Sequence, residues 1–365
     1  LVPFANTNEG PEISVADVNL DGLDDVLISG AKGQASTLFV QQSQGNFIQE
    51  QTTLFEEDRI NEDISQVFFD ADGDGDQDLI IVSGGNEFQS GKPLQPRFYR
   101  NENGQFKKEE NQFNELYVNA SNVSSVDFDN DGDTDITITS DQIPHQFGST
   151  PSQYIFENDG TGNFADISET FGKAFQNIGA VKDLIWKDLN GNGFKDLIAV
   201  GHWMPISIFY NDGKLLHLQN HQNLKESNGW WNTIVADDFD NDGDIDFVTG
   251  NWGLNSKFSA SKSEPITLYS ADFDQNGTID PIVTHYQQQT ETTFASKDEL
   301  VKQLPYLNKQ FLSYKDFAKA SVSDLFSEEK LVKSEQKQVY ELQSLFYEND
   351  GVGNFILKAL PTIAQ

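Results

Sequence analysis

Three observations predict an all-β fold for this 365-residue chain, specifically a β-propeller of four-stranded antiparallel blades. A nine-residue aspartate-rich element recurs six times, and a short apolar run such as "LIIVSGG" or "LIAVG" follows each copy. A second element, an apolar strand leading into a tight Asn-Gly-type turn, recurs five times, as in "YIFENDGTGNF" and "LFYENDGVGNF". Internal repetition on this scale is the mark of a repeat architecture, and four strands in roughly 50 residues is one propeller blade.

The aspartate elements are "DVNLDGLDD" at 17–25, "DADGDGDQD" at 70–78, "DFDNDGDTD" at 127–135, "DLNGNGFKD" at 188–196, "DFDNDGDID" at 238–246 and "DFDQNGTID" at 272–280. Each unit reads strand, aspartate loop, strand, connection, strand, turn, strand. Six units are visible, and the expected ring is seven-bladed with one blade incomplete or absent. The last interval, from Asp238 to Asp272, is too short for a full unit. Either the loop at 272–280 replaces the Asn-Gly turn of the fifth blade, or that blade lacks its outer strand. The whole chain reads as one domain, 1–365.

Between 286 and 340 the β pattern breaks. Ser296 with Glu299 forms a capping box, Ser313 with Asp316 offers a second cap, and Leu300, Leu304, Leu307 and Phe311 recur at helical spacing. A helical insertion, centred on 295–330, is expected inside the propeller.

Within each loop, oxygen-bearing side chains stand at positions one, three, five and nine with glycine at six. Alternate carboxylates in a tight turn converge on one point, and hard oxygen donors suit Ca²⁺. The candidate ligands are Asp17, Asn19, Asp21 and Asp25; Asp70, Asp72, Asp74 and Asp78; Asp127, Asp129, Asp131 and Asp135; Asp188, Asn190, Asn192 and Asp196; Asp238, Asp240, Asp242 and Asp246; and Asp272, Asp274, Asn276 and Asp280. The position-seven carbonyls of Leu23, Asp76, Asp133, Phe194, Asp244 and Thr278 would complete each shell. Several calcium ions, up to six, are expected, the weakest at 188–196, where Asn190 and Asn192 replace carboxylates. Position two is mostly apolar (Phe128, Leu189, Phe239, Phe273), so each loop should also plug into its blade.

Composition narrows the partners. A formal net charge of −34 speaks against nucleic acid, whose phosphates need clustered Lys and Arg. No apolar run is long enough to span a membrane, so no membrane insertion is expected. There is no cysteine, hence no disulfide, thiolate metal site or Cys nucleophile. No G-x-S-x-G, Walker A or H-E-x-x-H pattern occurs, and no catalytic residue is assigned. The start of the chain lacks a signal-peptide pattern, and the sequence reads as a piece of something longer.

The loop pattern resembles the FG-GAP/VCBS repeat, the calcium-binding blade unit of integrin-α-type propellers. "GHWMP" at 201–205, "GWWN" at 229–232, "GNWGLN" at 250–255 and "ASKDELVKQLPYL" at 295–307 are similar to the carboxy-terminal propeller of bacterial VCBS-repeat proteins that carry an ASPIC/UnbV domain, relatives of cartilage acidic protein. That resemblance implies an exported, calcium-stabilised scaffold (extracellular, cell-surface or periplasmic) and a further aspartate loop after "PTIAQ".

In a four-stranded meander the first-to-second and third-to-fourth turns lie on one face, so all six aspartate loops are expected to share it and the remaining connections to leave from the other. Those connections hold a candidate ligand face of His202, Trp203, Trp230, Trp231, Asn232, Asn251, Trp252 and Asn255. Three readings follow. A scaffold for protein or matrix partners predicts a flat face, and a glycan-binding module predicts a groove with exposed Trp203 or Trp252. A polysaccharide lyase or hydrolase predicts His202 beside a basic residue in a pocket. Alternatively these Trp fill gaps between blades.

Overall fold

The computed structural model describes residues 10–110, 112–351 and 353–365. It is all-β, with six antiparallel four-stranded sheets. The first sheet holds β1 (Ile13–Ala16), β2 (Asp25–Ile28), β3 (Thr37–Gln41) and β4 (Phe47–Glu50), followed by a short helix α1 (Thr52–Glu56). The second holds β5 (Asp63–Phe69), β6 (Asp78–Ser83), β7 (Arg97–Glu102) and β8 (Gln105–Glu109). The third holds β9 (Ala120–Val126), β10 (Asp135–Ser140), β11 (Tyr154–Asn158) and β12 (Phe164–Asp166). In the fourth, β13 (Ala180–Lys187), β14 (Asp196–Met204), β15 (Ser207–Asn211) and β16 (Leu216–Leu218) are joined by β17 (Gly229–Trp230), which pairs with β14.

Neighbouring blades pack face to face through their central strands, and the two-residue period of a strand divides its side chains between two cores. In β6, Leu79 and Ile81 face the first blade while Ile80 and Val82 face the third. In β14, Leu197 and Ala199 join the core shared with the third blade, and Ile198 and Val200 the core shared with the fifth. All six residues of β6 and of β10 are therefore buried. A fully buried Ile or Leu contributes about 1.5–3 kcal/mol, so these strands anchor the stack. On the first sheet's far face, by contrast, Ile13 and Val15 are 60% and 56% exposed.

The fifth blade departs from both expectations for it. Its inner hairpin is β18 (Thr233–Asp237) and β19 (Asp246–Gly250), and its outer hairpin comes from the end of the chain. Between them, 251–344 builds a sixth sheet from β20 (Ile266–Ala271), β21 (Asp280–Gln287), β22 (Thr290–Thr293) and, after five short helices, β23 (Glu335–Val339). Then β24 (Leu345–Asn349) pairs with β19 through Thr249↔Leu345, and β25 (Phe355–Ala359) closes the blade. The blade is complete but interrupted. The hairpin bearing 272–280 cannot belong to it, because β20 already pairs with β21 and β23.

The helices are α2 (Lys297–Gln303), α3 (Leu307–Gln310), α4 (Tyr314–Phe317), α5 (Val322–Leu325) and α6 (Glu328–Lys333). The Ser296/Glu299 capping box forms on both sides, and the Ser313 hydroxyl caps α4 by accepting from the Asp316 N–H. Leu300, Leu304 and Leu307 are buried in a core with Phe273. The helices fall within 286–340, inside a longer excursion, 251–344, that is built of strands as well as helices.

Candidate calcium loops and the opposite face

All six aspartate elements are hairpin loops with one internal geometry. Position six is always glycine in the left-handed region, φ 84° at Gly22 and 102° at Gly132, where a side chain would be strained. Its N–H donates to the first aspartate, at 2.9 Å for Gly75 to Asp70 and 2.8 Å for Gly277 to Asp272. The N–H of position seven donates to the side chain at five, as Asp76 does to Asp74 at 2.9 Å. The side chains at one, three and five are turned inward by their own backbone.

The ninth aspartate does something else. Asp78 accepts from Ala71 N–H with Oδ2 and from Asn101 N–H with Oδ1, at 3.0 and 2.7 Å. Asp135, Asp196 and Asp246 repeat this with Asn158, Asn211 and Asn349. It ties the loop's entry to the end of the blade's third strand. Burial pushes Asp78 and Asp196 up to about 6 and Asp135 up to about 8. Asp133 is pushed to about 6 by its hydrogen bond with Asp131 and by burial, and its Oδ1 is buried without a hydrogen-bond partner. Carboxylates forced together in this way favour a cation among them.

Four of the six donor sets fit calcium. In 70–78, 127–135, 238–246 and 272–280, three carboxylate oxygens lie within 4.8 Å of one another and could hold a metal ion. At 188–196 the amides are turned to donate, Asn190 to Asp196 at 2.9 Å and Asn192 to the Asn211 carbonyl at 2.8 Å. At 70–78 there is a cation the sequence pattern did not reveal: Arg100 of β7 pairs with Asp72 and reaches the Thr161 carbonyl of the next blade.

Five loops stand on one face, at the first-to-second turn of each blade, but 272–280 does not. It belongs to the insertion and lies over the opposite face, beside the second and third blades' connections. The reason is topological: the insertion leaves from the second connection of the fifth blade, which opens on that side. A cleft of about 460 Å³ separates it from the blades, lined by Asn86, Gln142, His145, Gln146, Phe147 and Ser149 and by Gly277, Thr278, Ile279 and Pro281.

The ligand-face residues are mostly packed. Trp203, Trp230 and Trp231 are buried, with Trp203 and Trp252 each meeting Trp230 edge-on at 5.3 Å. Trp203 and Trp230 fill the junction between the fourth blade and the sixth sheet, and Trp231 fills the core between the fourth and fifth blades. Only Trp252 of these four is exposed, at 37%; Asn232 and Asn255 are exposed, and Asn251 braces the backbone of Trp230. His202 hydrogen-bonds Asn232 at 3.2 Å beside the Lys182–Asp141 ion pair, and its adjoining cavity is about 10 Å³. Burial pulls its pKa down to about 4.

The position-two plugs behave unequally. Phe128, Leu189 and Phe273 are buried, but Phe239 is 46% exposed because no further sheet among the described residues covers it. Sequence reading also missed the asparagine that precedes each Asn-Gly-type turn. Asn158 Nδ2 donates to the Ala71 carbonyl of the preceding blade at 2.8 Å, as Asn101 does to Val18 and Asn211 to Phe128. Its recurrence in "RNENG", "ENDG" and "YNDG" was visible, but it read as turn chemistry alone.

The FG-GAP-like repeat family model matches three stretches, 17–81, 70–138 and 188–249, which together cover half the chain. The chain belongs to the FG-GAP-like repeat family. Each matched stretch of this FG-GAP protein begins at the first aspartate of a loop. Among solved structures it is similar to an Agrocybe aegerita lectin described as recognising non-reducing terminal N-acetylglucosamine, at 18% identity and a TM-score of 0.41, covering 80% of this chain and 67% of that one. It is also similar to the V. cholerae biofilm matrix protein Bap1, at 10% identity and a TM-score of 0.36, covering 96% of this chain and 65% of that one. Curated protein sequences give no match. Among the described residues no helix is long and apolar enough to cross a membrane.

Proposed function

We propose that this FG-GAP protein is a calcium-stabilised, exported binding scaffold, with blade-stapling loops on one face and a protein or matrix partner on the other. The observation that supports the reading is the ninth aspartate, which joins two strands of its own blade in every propeller loop while a cleft of about 460 Å³ lies on the opposite side. A chain of net charge −34 repels itself, and bound cations offset that repulsion where it is densest. We also propose a kinship with ASPIC/UnbV-associated propellers, on the motifs at 201–205, 229–232, 250–255 and 295–307.

The role proposed is non-catalytic. The cavity at His202 has room for about one water molecule, not a sugar ring. Melting curves in calcium and in EGTA test the scaffold: a ligand that binds only the folded state raises Tm. A melting temperature that ignores calcium overturns the reading.

A further inference from the structure

The sixth aspartate loop has been moved away from the staples, and its neighbours have changed with it. In the propeller, the Oδ1 of the ninth aspartate accepts from the third strand of its own blade. In the insertion, Asp280 Oδ1 instead accepts from the Gln303 side chain of α2 at 3.0 Å. The position-two carbonyl, which receives an asparagine in the second to fourth blades' junctions, here receives Lys330 of α6, and Phe326 covers Phe273 at 4.4 Å between ring centres. The helices have taken the place of a neighbouring blade. The other side of the same loop, Gly277 to Ile279, forms one wall of the 460 Å³ cleft.

We propose that this cleft binds a neutral oligosaccharide, and that a cation in the 272–280 loop holds its wall in the binding shape. The proposal rests on the scaffold reading and names its ligand class. The volume lies in the range of small-ligand sites, roughly 300–1,000 Å³. Its lining holds no Asp, Glu, Lys or Arg and one imidazole, His145, although the chain has 58 acidic and 24 basic residues. An anion would find no Lys or Arg fork there and a cation no lining carboxylate, and an apolar ligand would strand the amides. Amide and hydroxyl groups of Asn86, Gln146 and Ser149 beside the half-buried Phe147 ring suit a molecule with hydroxyl edges and C–H faces. A peptide would want an unpaired strand edge, whereas the backbone here is already used in the Ile143↔Gln146 bridge.

The cation enters through the wall itself. Gly277 N–H donates to Asp272 and Thr278 N–H to Asn276, both at 2.8 Å, so the side chains that would ligate the ion also fix the residues facing the cleft. Without a cation, repulsion among Asp272, Asp274 and Asp280 would act on the side chains that fix that segment.

Cellotetraose, chitotetraose and maltotetraose should be titrated by calorimetry into the whole chain, in saturating calcium and in EGTA, with an uncharged Gly-Ser-Asn peptide alongside. At least one saccharide should bind in calcium. Gln146→Ala, at an exposed site, should weaken it about tenfold with Tm unchanged, the usual effect of one lost buried hydrogen bond. Asp272→Asn with Asp274→Asn should weaken it at least as much and raise hydrogen exchange over 277–281. Binding of the peptide alone, binding of no saccharide, or wild-type affinity in the loop variant each overturns the proposal. If calcium still raises Tm in those cases, the scaffold reading stands and only the cleft assignment falls.

Discussion

The Asn158 side chain reaches across a blade boundary to the Ala71 carbonyl, 2.8 Å away, while a second bond at 3.1 Å holds the Thr134 carbonyl of its own loop. Its Oδ1 accepts from Gly162 N–H, so all of its amide is engaged. One side chain therefore fixes a turn, a loop and the neighbouring blade together. Asn158→Ala leaves two buried carbonyls unsatisfied and should destabilise the protein by about 2–4 kcal/mol, read from the urea midpoint. Asn158→Asp keeps the acceptor but sets a charge against those carbonyls, and should be no better.

The loops should differ in their need for calcium. Asn190 and Asn192 donate hydrogen bonds where other loops present carboxylates. Calorimetric titration should find 188–196 the weakest site. Changing both to Asp should create a tighter site and lower Tm in EGTA, because the new charges face Asp188 and Asp196 unscreened. Equal affinity in all loops would contradict the ranking.

Trp231 and Trp252 should separate cleanly. Trp231 is fully buried and its indole N–H donates to the Ser227 carbonyl at 2.8 Å. Trp231→Ala should cost about 3–5 kcal/mol through the cavity and the lost bond. Trp252→Ala, at the rim, should cost about 1 kcal/mol or less. Thermal melts of the two variants in calcium measure the difference.

His202 gives a pH dependence of defined sign. Burial lowers it to about 4, so the unfolded chain takes up the proton first as pH falls. The stability held by keeping it neutral is complete above about 6.5 and is lost between there and about pH 4. Partial exposure of the ring reduces the effect to about 2–3 kcal/mol. His202→Gln should flatten the stability profile across this window relative to the wild type, measured by denaturation at each pH.

Much of this was legible in the chain. The six loops, the left-handed glycine at position six and the Ser296 capping box follow from local chemistry, which a sequence states directly. What was not legible is who stands next to whom. "DFDNDGD" occurs twice, yet Phe128 is 1% exposed and Phe239 is 46% exposed. Nothing in those residues differs; among the described residues one is covered by another blade and the other is not. The same blindness hid the split fifth blade, since β24 carries the same pattern whether it follows β19 directly or after a long excursion. It also hid the fate of Trp203, Trp230 and Trp231, whose neighbours come from distant strands.

The pairing of Lys330 and Phe326 with Phe273 has a wider consequence. A repeat unit of this kind is satisfied by anything that supplies a donor for one carbonyl and a roof for one ring. A helix serves as well as a sheet. The module is therefore portable: it can leave its row and be set down elsewhere on the same molecule, taking its ion-binding turn to a place where that turn faces new company.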